Sequence, residues 1–454
     1  MNLPPLPHNW LADWPSAKRV ECAMSDYSAL PRGKVVSCDA FEAEQGCRIS
    51  SALWGLELSG EVAEAVMGPI VPHNFADMRM RADGSTLRPK AGRSTELSVI
   101  CEPEGQLAEA ANGGFIDAQD LSPRAALRRV LAQWKQHGWH ATVAPELEFF
   151  LLQPHPEQVG AWLAARPAPH MWVREHACES NSLERLGHFN AFFDAVYAHA
   201  EALAIPLSGH DHEAAFSQFE INLLPADPLS QADAVFRLKT VIKQCAAQQG
   251  YVASFAPKPF TNDPGTGMHW HISVQQDAPW PHVFAQADGS SSAALTQFAA
   301  GIQQHLCEAM ALLAPHDASY RRILLADAAP TTASFGDDDR ALALRVPSSG
   351  PESRRIELRL AGGDSNPYLV LAVALGLGLR GHQTGAQLQT PAPPLPTDLT
   401  SALQLLEQSQ VLRAVLGNPL IDAFVGVART EQAVRMAHPG GPELWDQLHL
   451  TENA

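Results

Sequence analysis

Basic charge is scarce in this 454-residue chain: 32 lysines and arginines stand against 49 aspartates and glutamates, a formal net charge of −17. A polyanionic backbone needs a basic surface to bind it, so nucleic acid is not an expected partner. Close cysteine pairs are missing as well. Seven cysteines, an odd number with no C-x-x-C, read as reduced thiols of a cytoplasmic protein and leave no structural zinc site. The most apolar run, Tyr368 to Leu379, is far shorter than the ~20 residues of a bilayer-spanning helix, so no membrane partner is expected. Met1-Asn2-Leu3-Pro4-Pro5 has no basic region ahead of an apolar core, and no secretory signal is visible. The familiar phosphate loops are absent too: there is no G-x-x-x-x-G-K-[ST] and no G-x-G-x-x-G after a strand. A nucleotide would have to be held by metals and arginines.

What the chain does contain is a set of short segments that alternate polar and apolar residues. Side chains on a strand repeat every two residues, so each segment presents its charged groups on one face. Glu146 and Glu148 lie opposite Leu147 and Phe149; Gln218, Glu220 and Asn222 lie opposite Phe219, Ile221 and Leu223. In Thr266–Val274 the polar face reads His269, His271, Ser273, and in Arg355–Arg359 it reads Arg355, Glu357, Arg359. Any one pair of glutamates is usually the wet side of an amphipathic strand. Glu213 adds a further acid, and together Glu146, Glu148, Glu213, Glu220 and Glu357 with His269 make five carboxylates and one imidazole without a thiolate. That donor set suits hard cations, Mg²⁺ or Mn²⁺ rather than Zn²⁺. His210 and His212 read as ordinary hydrogen-bonding residues. Arg322, Arg340, Arg345, Arg355 and Arg359 cluster late in the chain. Most arginines are solvated surface charge, but these share their segment with Glu357, and guanidiniums clamp phosphate or carboxylate through two bonds at once.

The length favours two domains. Residues 1–120 are rich in turns, prolines and short alternating runs, with strands expected at Val35–Ser37, Ala52–Leu58 and Leu97–Cys101. From 121 onward helices alternate with the charged strands. Ser122 and Pro123 read as a helix start and Gly138 as its stop. Leu183, Leu186, Phe189, Phe193 and Val196 mark one further helix, and Ala234 to Cys245 another. Pro391–Pro396 reads as a stiff connector into two closing helices near 399–416 and 419–436. The segment 153–181 reads as a long loop or insertion.

Several of these blocks, in order, resemble the glutamine synthetase superfamily: Pro145–Phe150; His212-Glu213 with Gln218–Asn222; Gly265–His271; Ser319–Arg322; Arg340 with Arg345–Pro347; Arg354–Arg359; and Asn366–Tyr368. Ser85–Pro89 resembles the end of that family's N-terminal domain. The resemblance implies an α+β fold, with a small N-terminal β-grasp domain over 1–120. A catalytic domain over 121–454 would follow, built on a curved antiparallel sheet flanked by helices. It also implies an ATP-dependent ligase with two or three Mg²⁺ or Mn²⁺ ions, in which glutamate becomes γ-glutamyl phosphate and an amine displaces phosphate. Glu148, Glu213 and Glu220 would hold one ion, and Glu146, His269 and Glu357 the other. His271, Ser273, Arg340, Arg345 and Arg355 would contact ATP. Gly265, Arg322 and Arg359 would bind glutamate or its transferring phosphoryl group, with Arg340, Arg359 and Arg322 acting in catalysis. The assembly implied is a homo-oligomer of hexameric rings, a dodecamer, whose N-terminal domains complete a neighbour's site.

This chain departs from the family's pattern at three places. The flap glutamate falls on Ala328, with Asp327 beside it; the asparagine before Gly265 is Pro264; and a lysine before Arg354 is Glu352. Without the flap carboxylate a group that binds ammonium and accepts its proton is gone. The chain is accordingly most similar to the branch of γ-glutamylpolyamine and γ-glutamylanilide synthetases, and an organic amine is the expected acceptor. Trp54, Glu57, Glu61 and Asp337–Asp339 are candidates for its pocket. The competing readings are an ammonia-using glutamine synthetase, a non-catalytic relative, and a phosphoryl-transfer enzyme for another acceptor such as a guanidino compound.

Overall fold

The computed structural model describes residues 3–90, 92–109, 115–158, 161–165, 180–325 and 329–454. Two large sheets organise the chain. The first has six strands and lies within residues 19–104: Pro31–Ser37, Arg19–Ser25, Glu96–Glu104, Asp77–Ala82 and Gly46–Ser50 follow one another, and Arg88–Pro89 pairs with Glu96–Glu104. Arg19–Ser25 and Glu96–Glu104 run parallel, and the helix Cys38–Glu44 carries the chain from one edge strand, Pro31–Ser37, to the other, Gly46–Ser50. The alternation at Ala52–Leu58 does not become a strand. Ser50 accepts a hydrogen bond from the Ala52 amide and starts a 3-10 turn, Ser51–Gly55, that buries Leu53 and Trp54.

The second sheet has nine strands, and its main path runs Leu207–His212, Gln218–Leu223, Trp139–Pro154, Met268–Gln276, Ile356–Leu358, Leu344–Val346, Phe335–Asp337. It is antiparallel except for its last pair, Phe335–Asp337 with Leu344–Val346, which is parallel. Leu147, Phe149, Phe219 and Ile221 on its inner face have no exposed surface. Helices cover that face. Pro123–His137 starts where Ser122 accepts from the Ala125 amide and stops at Gly138, whose φ of 79° costs a residue without Cβ nothing. The expected helix through Leu183–Val196 is two helices, Leu183–Gly187 and Asn190–Ala202. Leu183 faces solvent, while Leu186 one turn on is the residue this shorter helix buries. The first closing helix is likewise split, into Leu399–Gln408 and Gln410–Leu416, because Ser409 caps the second piece.

Tyr368–Leu379 lies in the buried helix Pro367–Thr384. Gly376-x-Gly378-x-x-Gly381 in that helix is a packing surface rather than a phosphate loop. A Cβ on Gly301 of the neighbouring helix Ala293–Leu313 would fall 2.5 Å from the Gly381 Cα, so the two backbones meet only because both positions are glycine. Among the described residues no single helix is long and apolar enough to cross a membrane.

Arg124, at the start of Pro123–His137, ties the first sheet to the helices packed against it. It donates to Asp83 at 2.8 Å, to Glu102 at 2.6 Å and through two bonds to Asp233, both at 2.8 Å. The Tyr368 hydroxyl donates to Asp233 as well. Three carboxylates around one guanidinium fix how the 19–104 sheet seats on the helix Pro228–Gln248.

Candidate active site

Strand register assembles the charged faces. Glu148 stands opposite Glu220, and Glu146 opposite Asn222, across Trp139–Pro154 and Gln218–Leu223. On the other side of the long strand Glu146 stands opposite His269. One strand further His271 faces Glu357, and Glu357 faces Arg345. Directly opposed side chains have Cβ atoms ~5 Å apart, so four separate alternations become one patch. A slip of one residue would turn the whole row into the core, and the buried Leu147, Phe149, Phe219 and Ile221 forbid it.

Glu213 joins from the turn after Leu207–His212, where its amide donates to the Gln218 carbonyl. Three sets bring a ligand atom from each member within 4.8 Å of the others: Glu148, Glu213 and Glu220; Glu146, Glu220 and His269; and Glu146, His271 and Glu357. The first is the set expected for one ion. The set expected for the other is also drawn together, with His269 Nδ1 3.3 Å from Glu146 and 3.9 Å from Glu357. His271 is an addition: its Nε2 lies 2.7 Å from Glu146 Oε1, although the sequence reading gave it to ATP.

The electrostatics fit a multivalent cation. Burial, with Glu146, Glu148 and Glu213 close by, pushes Glu220 up to about 9. Burial and Glu148 push Glu213 up to about 7, against a hydrogen bond from the Ala214 amide. Burial acts on Glu146 too, but hydrogen bonds from His269 and His271 outweigh it and hold that carboxyl far below its ordinary range. Carboxylates that cannot all ionise together are what a bound cation relieves. Oxygen and imidazole donors without sulfur suit a hard one.

The arginines form the opposite wall. Arg359 donates to Glu357 and, at 2.9 Å, to the Arg340 carbonyl. Arg345 bridges Glu357 at 2.8 Å and Asp338 at 2.7 Å. Arg355 Nε donates to His271 Nδ1 at 3.1 Å. That bond fixes the tautomer: Nδ1 accepts, so Nε2 carries the proton and donates to Glu146. The strand here spans only Ile356–Leu358, so Arg355 and Arg359 flank it rather than sharing its face, and their reach brings them in. Arg340 takes part through its carbonyl while its side chain is exposed. The Ser273 hydroxyl, one step beyond His271, donates to the Thr142 carbonyl at 3.4 Å.

Arg322 is buried on the helix Asp317–Leu324, donates to the Leu360 carbonyl, and has a buried Nε without a partner among the described residues. A buried guanidinium with a donor to spare suits an anionic substrate. Gly265 is packed against it: a Cβ there would sit 2.6 Å from Arg322 Cγ. The Gln218 side-chain Nε2 donates to both the Gly265 carbonyl and Glu148, each at 3.0 Å. The Gly267 amide also donates to Glu148 at 3.0 Å, and a Cβ on Gly267 would fall 2.5 Å from His269 Nε2.

Other expected residues lie elsewhere. Trp54 and Glu57 are buried in their own core, Glu57 beside Glu431, and only Glu61 of that group is exposed. Asp338 is the partner of Arg345 rather than a free acid. His210 stacks on Phe193 with ring centroids 4.0 Å apart. Asp327 and Ala328, at the flap position, lie outside the described residues. A contact that the alternations did not announce stands behind Arg322. Asp364 accepts from Ser319 at 2.6 Å and lies 3.0 Å from His316 Nδ1, both on the helix's first turn.

The chain is similar to gamma-glutamylputrescine synthetase PuuA of Escherichia coli (strain K12), at 31% identity over 90% of this chain and 87% of the relative. It is 35% identical to a glutamine synthetase of Mycobacterium bovis (strain ATCC BAA-935 / AF2122/97), over 88% of this chain and 95% of the relative. Two solved structures of GmaS, one without ligand and one with ADP, superpose with a TM-score of 0.77. They share 26% and 25% identity, each over 93% of this chain, and cover 95% and 94% of the solved chains. The profile for the glutamine synthetase catalytic domain matches residues 120–444, the span that contains every residue of the cluster described above. The chain belongs to the glutamine synthetase family.

Proposed function

We propose that this protein is an ATP-dependent ligase that joins the γ-carboxylate of glutamate to an organic amine. The observation that carries the reading is the facing of Glu148 with Glu220 and of Glu146 with His269, with Arg322 and Arg359 on the adjoining wall. Glu148, Glu213 and Glu220 would hold one divalent ion and Glu146, His269 and Glu357 a second, Mg²⁺ or Mn²⁺. When bound, such ions neutralise the phosphates of ATP and favour attack at the terminal one.

The chain's own residues do the rest. Arg322 and Gly265 orient glutamate so that a γ-carboxylate oxygen meets the terminal phosphorus in line. Arg359, held by Glu357 and the Arg340 carbonyl, takes charge that develops on the transferring group. Arg345, Arg355, His271 and Ser273 line the nucleotide side. ADP leaves, the amine nitrogen attacks the γ-carbonyl carbon, and phosphate departs with one former carboxylate oxygen while the nitrogen gives up a proton. Glutamate labelled with ¹⁸O in its γ-carboxylate should therefore pass one label into phosphate in the presence of amine; unlabelled phosphate would sink the acyl-phosphate route.

Support for an organic amine comes from the relative named a gamma-glutamylputrescine synthetase and from the alanine at position 328. Ammonia is the second reading, favoured by the higher identity to a glutamine synthetase. The proposal extends to a boundary near 120/121, a cytoplasmic setting, and hexameric rings stacked as a dodecamer in which residues 1–120 complete a neighbour's site.

A further inference from the structure

A cavity of about 310 Å³ opens between the six-stranded sheet and the helices Asn190–Ala202 and Pro228–Gln248, away from the carboxylate cluster. Its charge runs against the rest of this acidic chain: Arg32, Lys34, Lys90 and Arg237 line it with Glu21 as the one carboxylate. Two of those cations are already matched, Lys90 by Glu21 and Arg32 by Asp26 at 2.8 Å. The other two are not. Arg237 Nη2 donates to the Thr86 carbonyl at 2.6 Å, but its Nε is buried without a partner among the described residues. Asp233, one turn earlier on the helix, is taken up by Arg124. Burial lowers the Arg237 pKa, as expected for a guanidinium removed from water with no carboxylate bound to it. Lys34 stands at the mouth, on the edge strand Pro31–Ser37, exposed and without an ion-pair partner among the described residues.

Ser98, His199, Thr240 and Gln244 add uncharged polar groups, and Ile100, Leu203, Phe236 and Val241 supply an apolar stretch of wall. A cavity of 310 Å³ is about ten water volumes at ~30 Å³ each, room for a ligand on the order of ten heavy atoms. An inorganic anion would satisfy the guanidinium but leave the apolar wall wet; a neutral hydrocarbon would do the reverse.

We propose that this cavity is a binding site for a small organic carboxylate, its carboxylate between Arg237 and Lys34 and its apolar body against Ile100, Leu203 and Phe236. The ligand would bridge the edge of the first sheet and the helix Pro228–Gln248. That helix also carries Lys239, whose ammonium donates to the Gly363 carbonyl at 2.9 Å, four residues beyond Arg359.

The test is calorimetric titration of the full chain with phenylacetate, with glutamate, ADP and Mg²⁺ saturating so that the candidate active site cannot take the probe. Saturable binding of one phenylacetate per chain is expected. Benzyl alcohol and inorganic phosphate should each bind at least tenfold more weakly. Lys34→Glu and Arg237→Gln should each weaken phenylacetate at least tenfold. Lys34 is exposed on an edge strand, so its variant keeps the test valid if Arg237→Gln does not fold. Absence of saturable binding, or binding untouched by Lys34→Glu, overturns the proposal. Phosphate binding as tightly as phenylacetate overturns the organic part of it, leaving a bare anion site.

Discussion

Glu148 and Glu220 face each other directly across two antiparallel strands, each less than a tenth exposed. Like charges in opposed positions destabilise a sheet. A ligand that binds only the folded chain at a hundred times its Kd adds about 2.7 kcal/mol of stability. Mn²⁺ or Mg²⁺ titrated into chelator-treated protein should therefore raise the melting temperature. Glu220→Gln should raise the melting temperature of the metal-free protein and shrink the metal-induced increase, both read by scanning fluorimetry. No metal-induced shift in the wild type would count against the assigned ligands.

Gly267 is where the site leaves no room. Gly267→Ala places a methyl group 2.5 Å from His269 Nε2 and 2.9 Å from Glu148 Oε1. Displacing two candidate ligands by even ~1 Å costs on the order of 10²-fold in rate. The variant should keep its circular dichroism spectrum and lose at least that factor in kcat/KM.

Removing Arg124 leaves Asp83 and Asp233 buried without their cation, and Glu102 with only Arg128 at 2.8 Å. Breaking a buried ion pair from one side costs about 3–5 kcal/mol. Arg124→Met should lower the urea midpoint markedly, far more than Arg48→Met, whose exposed pair with Glu44 is worth little.

Lys243 gives a pH dependence of defined sign. Burial, and then the neighbouring Lys239, push its ammonium down to about 7 from an unfolded value of 10.5. Between those two pH values the unfolded chain binds a proton that the folded one does not, so this group's contribution rises with pH and is lost as pH falls through about 7. Lys243→Met removes that dependence. The variant's stability relative to wild type should be highest near neutral pH and should decline toward pH ~10, the unfolded range of lysine, in denaturation curves taken across the window. A constant difference would show that the ammonium is solvated.

The alternations at 145–149, 218–223 and 266–274 revealed which side chains share a face, because a period of two is written in the residues themselves. They did not reveal which strands are neighbours. The facing of Glu146 with both Asn222 and His269 is a matter of register between segments more than seventy residues apart. The bond from His271 to Glu146 follows from that register, which is why His271 looked like a nucleotide contact alone. Pro123–His137 was legible because Ser122, Pro123 and Gly138 each act within a turn of the helix end. Ala52–Leu58 was misread because a single local bond, from the Ala52 amide to Ser50, outweighs a weak alternation. The Arg124 cluster and the Asp364–His316 contact join residues distant in sequence, and no short pattern announces either.

The central claim is tested most directly by phosphate release from ATP in the presence of glutamate, measured with ammonia, alkyl amines, diamines and anilines as acceptors. The account predicts that release requires both glutamate and an amine, that an organic amine has a higher kcat/KM than ammonia, and that Glu357→Ala abolishes release with every acceptor. A wild-type preference for ammonia by kcat/KM, or near-normal turnover in Glu357→Ala, would contradict it.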